Sequence, residues 1–112
     1  MTKIAHEVGS GNVFADLGVP DPDVHLLKSR LVGALAKMIK QQGLTQAEAA
    51  ERMQMAQPDV SRLLKGQFRA YSVERILRCI AAFGSDVRIT ISGTEGRTGR
   101  RKPGKIVVLE TA

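Results

Sequence analysis

The chain has 112 residues, a length that suits one domain. Its 43% hydrophobic content supports a modest core, which is aliphatic because there are only three Phe, one Tyr and no Trp; four Met are available to fill gaps. A net charge of +6 favours an acidic partner, nucleic acid first, while a single cysteine excludes an internal disulfide and no apolar run approaches membrane-spanning length.

Residues 1–12, with "EVGSGN", read as a flexible N-terminus without a signal-peptide apolar region, so a cytoplasmic location is expected. "VFADLGVPDPD" follows, and Val13, Phe14 and Leu17 form a small apolar patch able to dock on the domain. Asp21 is expected to cap a first long helix with Pro22 at its first position. That helix runs from Pro22 to about Gln42, with Val24, Leu27, Leu31, Leu35, Met38 and Ile39 as one apolar stripe, and Gly43 ends it. Thr45 to Glu48 is a capping box opening a second helix to about Met53. A third helix runs from about Gln57 to Lys65 and stops at Gly66. A fourth starts at Ser72, buries Val73, Ile76, Leu77 and Ile80, and ends at Gly84. Cys79 lies in this apolar pattern and is expected to be buried and inert.

The period then changes. "DVRITIS" alternates Val87, Ile89 and Ile91 with polar residues, the pattern of a half-buried strand. "GTEGRTGRRKPG" reads as a basic linker, and "KIVVLE" as a second strand. Two isolated strands are marginal in water, so they either form a hairpin packed on the helices or pair with a partner chain. The expected fold is mostly α: a bundle of four to five helices with one or two short C-terminal strands. Its organisation is residues 1–12, a domain over 13–92, and a tail over 93–112.

Helices two and three are short and separated by a three- or four-residue turn, the helix-turn-helix arrangement. Their steep crossing needs a small residue, and Ala50 stands there. Ala49, Met53, Met55, Val60 and Leu63 fall at the inner positions. On these features residues 44–66, "LTQAEAAERMQMAQPDVSRLLKG", resemble the phage-repressor-like (Xre) helix-turn-helix family. "VFADLG", "LTQAEAA", "VSRLLKG" and "AAFGSDVRI" resemble its HigA-type antitoxin subgroup. The resemblance implies a lambda-repressor-like helical bundle whose third helix enters the DNA major groove. It also implies a homodimer on paired half-sites and, for antitoxin members, neutralisation of a small RelE/HigB-like ribonuclease toxin with repression of their own operon.

Residue chemistry fits that expectation. The N-terminal residues of a recognition helix face base edges. The Gln57 amide suits an adenine edge, and Arg62 one turn later reaches a guanine edge or a phosphate. Asp59 is able to accept from a cytosine amino group, and Pro58 offers an apolar contact to a thymine methyl. The resemblance makes Gln46 a phosphate ligand, with Thr45 serving as both cap and contact. Ser61, Lys65, Gln67 and Arg69 are further backbone-contact candidates. Val87, Ile89 and Ile91 are candidates for a strand pairing across a two-fold axis.

Two positions depart from the family pattern. Gln54 stands where the turn often has glycine, and a left-handed conformation there costs about 1 kcal/mol. Ala56 stands where a serine or threonine often caps helix three, a loss of roughly 0.5–2 kcal/mol. The plainer reading of Gln57, Asp59 and Arg62 is a solvated helix face, and the aligned motif weighs against it. Lys28, Arg30, Lys37 and Lys40 read as the wet face of helix one, and Arg100, Arg101 and Lys102 as a source of either nonspecific DNA attraction or solubility. Residues 93–105 hold +4 of the net charge, so much of the basicity lies in the tail. His6 and His25 lack partners at metal spacing, and no assembled acid, base or phosphate loop suggests an enzyme or a cofactor. The reading that results is a dimeric DNA-binding regulator, a repressor, with a toxin-binding antitoxin as the alternative.

Overall fold

The computed structural model of the chain describes residues 21–93 and 104–111. Four helices follow in order: α1 (Pro22–Gln41), α2 (Gln46–Met53), α3 (Gln57–Leu64) and α4 (Val73–Ala81). α1 is the long strut, and both α3 and α4 pack against it, while α2 packs on α3.

α1 begins differently from expectation. Asp21 holds the cap position, but in the left-handed region (φ 50°, ψ 58°) and with no side-chain cap bond. The helix is entered through the backbone, with His25 N–H donating to Asp21 O at 3.0 Å. Pro22 at the first position has no N–H, so the first turn has one unsatisfied backbone donor fewer. The buried stripe of α1 is Leu26, Leu31, Val32, Leu35 and Ile39, with Leu27 and Met38 partly covered. Val24 shares that face, but in the first turn, where it remains 40% exposed among the described residues.

The largest side chains sealed completely from solvent are Leu35, Val60, Leu63 and Ile76, from α1, α3 and α4. Complete burial of such a residue stabilises by about 1.5–3 kcal/mol. Ala49 and Ala50 are buried where α2 meets α3, and their small side chains let the two short helices approach. Met53 closes that contact, with Met55 partly buried beside it. Phe83, just past α4, completes the core.

A polar bridge ties three helix ends together. Gln42 Nε2 donates to Phe83 O at 3.0 Å, and Arg52 donates to Gln42 Oε1 at 3.0 Å. The Arg52 guanidinium also lies 5.9 Å from the centre of the Phe83 ring, within cation–π range.

The expected C-terminal strands do not form among the described residues. Residues 85–93 run without regular structure, and residues 104–111 hold only an isolated bridge at Val108. Val87, Ile89 and Ile91 are 40%, 77% and 90% exposed. The alternation is that of a strand, but a strand needs a neighbour to satisfy its backbone. The 104–111 segment instead lies on α1, with Val108 against the core and Lys37 donating to Glu110 at 3.1 Å.

Three helices end in the same way. After α1, Gly43 N–H donates to Lys40 O and Leu44 N–H to Ile39 O; after α3, Gly66 N–H donates to Leu63 O and Gln67 N–H to Arg62 O. After α2, Gln54 N–H donates to Glu51 O and Met55 N–H to Ala50 O. Each pair satisfies the last carbonyls by the Schellman pattern, which needs a left-handed residue. Gly43 and Gly66 supply it cheaply, whereas Gln54 adopts φ 55°, ψ 47° with a Cβ in place. Gln54→Gly is therefore expected to stabilise the domain by about 1 kcal/mol. A rise in melting temperature of several degrees in calorimetry checks this; an unchanged or lower value would show that the turn is not strained.

Candidate nucleic-acid interface

α3 has eight residues and is too short to persist alone, so its position is set by what it buries. Val60 and Leu63 are fully buried, and Leu64 packs beside them. The opposite face is fixed by that anchoring. It carries Gln57, Pro58, Arg62 and Lys65, all exposed, with half-buried Asp59 and Ser61 at its margins.

The uncapped start of α3 has a local explanation. Ala56 takes an extended backbone (φ −66°, ψ 141°) and makes no side-chain cap bond. Pro58, at the second helical position, has no N–H to leave unsatisfied. The next amide, Asp59 N–H, donates to Ala56 O at 2.9 Å, and Val60 N–H reaches the same oxygen at 3.1 Å. A serine or threonine at position 56 would therefore find few donors left to serve. Asp59 also places a negative charge in the first turn, where the helix dipole favours it.

Asp59 and Arg62 are paired with each other. Arg62 Nη2 donates to Asp59 Oδ1 at 2.5 Å, one helical turn away, with both side chains partly exposed. Lys65 and Arg69 make no such ion pair among the described residues.

The start of α2 lies next to this face in the chain order of the motif. Thr45 Oγ1 accepts from Glu48 N–H at 3.1 Å, and Glu48 Oε1 accepts from Thr45 N–H at 2.9 Å, a complete capping box. Gln46, the first residue of α2, is exposed. The bond from the Thr45 backbone N–H, with that of the Thr45 hydroxyl second, holds the Glu48 carboxyl below its ordinary range.

The loop after α3 is anchored by residues whose part was not evident from sequence. Phe68 is 5% exposed and faces the His25 ring at 4.8 Å between centroids. Lys28 Nζ donates to Arg69 O at 3.2 Å. Lys28, expected on the wet face of α1, thus fixes the backbone that carries exposed Gln67 and Arg69. The available signal was an aromatic residue two positions after a helix-ending glycine. Among the described residues Arg30, Lys37 and Lys40 make no side-chain hydrogen bond to α3, and Lys37 instead holds Glu110.

Burial raises the Cys79 thiol above its ordinary range, as expected for an inert core cysteine. Among the described residues no cluster of His, Cys, Asp or Glu is placed to hold a metal ion, and no helix is long and apolar enough to cross a membrane. The candidate contacts at Val13 to Leu17 and at Arg100 to Lys102 lie outside the described residues.

The capping box has a pH signature. Glu48 is depressed when folded, so its contribution is present above its ordinary value of 4.5 and is lost as pH falls through the lower folded value. Glu48→Gln should melt below wild type at neutral pH, and the difference should close under acid conditions. Parallel melts across that range check it; a gap that persists in acid would assign the loss to something other than the carboxylate.

A family profile described as a helix-turn-helix domain matches residues 13–92. A solved structure described as an XRE family transcriptional regulator is 35% identical, with a TM-score of 0.64. The match covers 75% of this chain and 96% of that one. No curated protein matches the chain. The matched span contains the whole α2–turn–α3 unit and its supporting helices, and the chain belongs to the XRE-type helix-turn-helix family.

Proposed function

We propose that the protein is a sequence-specific DNA-binding transcriptional regulator, a repressor, that acts as a dimer without a cofactor and reads the major groove with α3. The observation that carries this reading is the polarity of α3: Val60 and Leu63 are sealed in the core, while Gln57, Pro58, Arg62 and Lys65 stand in solvent on the opposite face. That face is rich in the groups that recognise base edges and phosphates. Membership of the XRE-type family, and the likeness to a protein described as a transcriptional regulator, support it.

Base reading falls to Gln57, Pro58 and Arg62, with Asp59 on the same face paired to Arg62. Thr45, Gln46, Ser61, Lys65, Gln67 and Arg69 meet the backbone and set register. Two copies would place their α3 helices about 34 Å apart on a near-palindromic site. The exposed apolar edge of Val87, Ile89 and Ile91 is the segment that pairs across the two-fold, which gives its alternating pattern the neighbour it lacks within one chain.

Gln57→Ala and Arg62→Ala should each weaken specific binding by about 1–3 kcal/mol. Footprinting on the upstream DNA at several salt concentrations measures this, because salt separates specific from electrostatic binding. Protection by both variants equal to wild type would remove α3 as the reader. For the dimer, Ile89→Asp combined with Ile91→Asp should sediment as a folded monomer and protect less than the full site. A double variant that still sediments as a dimer would place the interface elsewhere.

An antitoxin role is the second reading. It rests on the sequence resemblance of "VFADLG" and "AAFGSDVRI" to that subgroup, and it is compatible with operator binding. Co-purification with a small basic ribonuclease-like protein encoded by an adjacent reading frame supports it, and failure to co-purify counts against it.

A further inference from the structure

The Asp59–Arg62 pair is a poor stability device. Both groups are partly exposed, 43% and 55% by side chain, and an exposed pair one turn apart adds little to folding. Its geometry is nevertheless well determined. Asp59 follows Pro58, whose ring locks its own backbone angle, and the Asp59 N–H is held by Ala56 O at 2.9 Å. The acid precedes the base along the helix, the favourable order. Arg62 would otherwise be a long side chain with many rotamers, whose freedom is lost on binding DNA.

The pair also decides which DNA group Arg62 suits. Oδ1 of Asp59 occupies one N–H of Arg62, and most of the guanidinium fork remains able to donate. A guanine edge takes two such donors side by side. A phosphate is disfavoured, because the carboxylate cancels the arginine's attraction to it and is itself repelled. Lys65 and Arg69, without an ion-pair partner among the described residues, have the opposite profile and suit the backbone.

We propose that Asp59 is a positioning residue, holding the Arg62 guanidinium toward the base edges and away from the phosphates, so that Arg62 reads one guanine in each half-site. The proposal rests on α3 being the DNA reader.

Selection of binding sites from a random DNA library tests it, with full-length wild type, Asp59→Asn, Asp59→Ser, Arg62→Ala and the Asp59→Asn/Arg62→Ala double variant. Wild type should select guanine at one position per half-site. Both Asp59 variants should lose that preference to the level of Arg62→Ala, a fall in discrimination of about ten-fold or more. The double variant should add nothing to Arg62→Ala. Released from its carboxylate, Arg62 in Asp59→Asn should also steepen the dependence of log K on log salt by about one phosphate contact. A purely structural pair would lower the melting temperature while leaving base preference and salt slope unchanged, and that result overturns the proposal. Loss in Asp59→Asn of a preference that Arg62→Ala retains would overturn it too, by showing that Asp59 reads its own base. A wild type that selects no sequence would instead remove the α3 reader itself.

Discussion

The burial of Val60 and Leu63 in the core, where α3 meets α1 and α2, is the contact on which the rest of the molecule depends. An eight-residue helix does not hold its shape in water, and α3 exists because one face of it is part of the core. The same burial turns its polar face outward and fixes the angle at which it is presented. Truncating Leu63 to alanine would remove about 2–5 kcal/mol, a large fraction of a small domain's stability, and with it the geometry of every candidate contact. Core and site are therefore two sides of one short element.

Around that element the domain resolves its local weaknesses by backbone chemistry. The missing serine or threonine at position 56 matters less than its side chain suggests, because Pro58 deletes one donor and Ala56 O receives the next. The missing glycine at position 54 has no such remedy. Gln54 is held in the left-handed region by the two hydrogen bonds that close α2, between the core contacts of Met53 and Met55. The turn keeps the shape a glycine would give it at a cost of about 1 kcal/mol, small beside the burial on either side.

The positive charge of the described residues is divided by role. Arg62 is matched by Asp59, Lys37 by Glu110 and Arg78 by Glu74, while Lys28 spends its ammonium on the Arg69 carbonyl. Net charge alone pointed toward nucleic acid but assigned none of these roles. The loop after α3 is set likewise: a tilted ring contact between His25 and Phe68 and one lysine bond fix the backbone from which Gln67 and Arg69 emerge.

What the sequence by itself determined is what local chemistry governs. The four helices, the Thr45–Glu48 capping box, the glycine stops after α1 and α3, and the family resemblance all follow from periodicities and short-range spacings. A side chain that reaches only its own turn needs no knowledge of the rest of the fold. Tertiary structure decided the matters that depend on distant partners. It left Val24 exposed and buried Leu26 and Val32; it set Lys28 on a loop 41 residues away; and it joined Gln42, Arg52 and Phe83 at three helix ends. It also decided the fate of Val87, Ile89 and Ile91. Their alternation is local and legible, but a strand is made by hydrogen bonds to a neighbour, and among the described residues this chain supplies none.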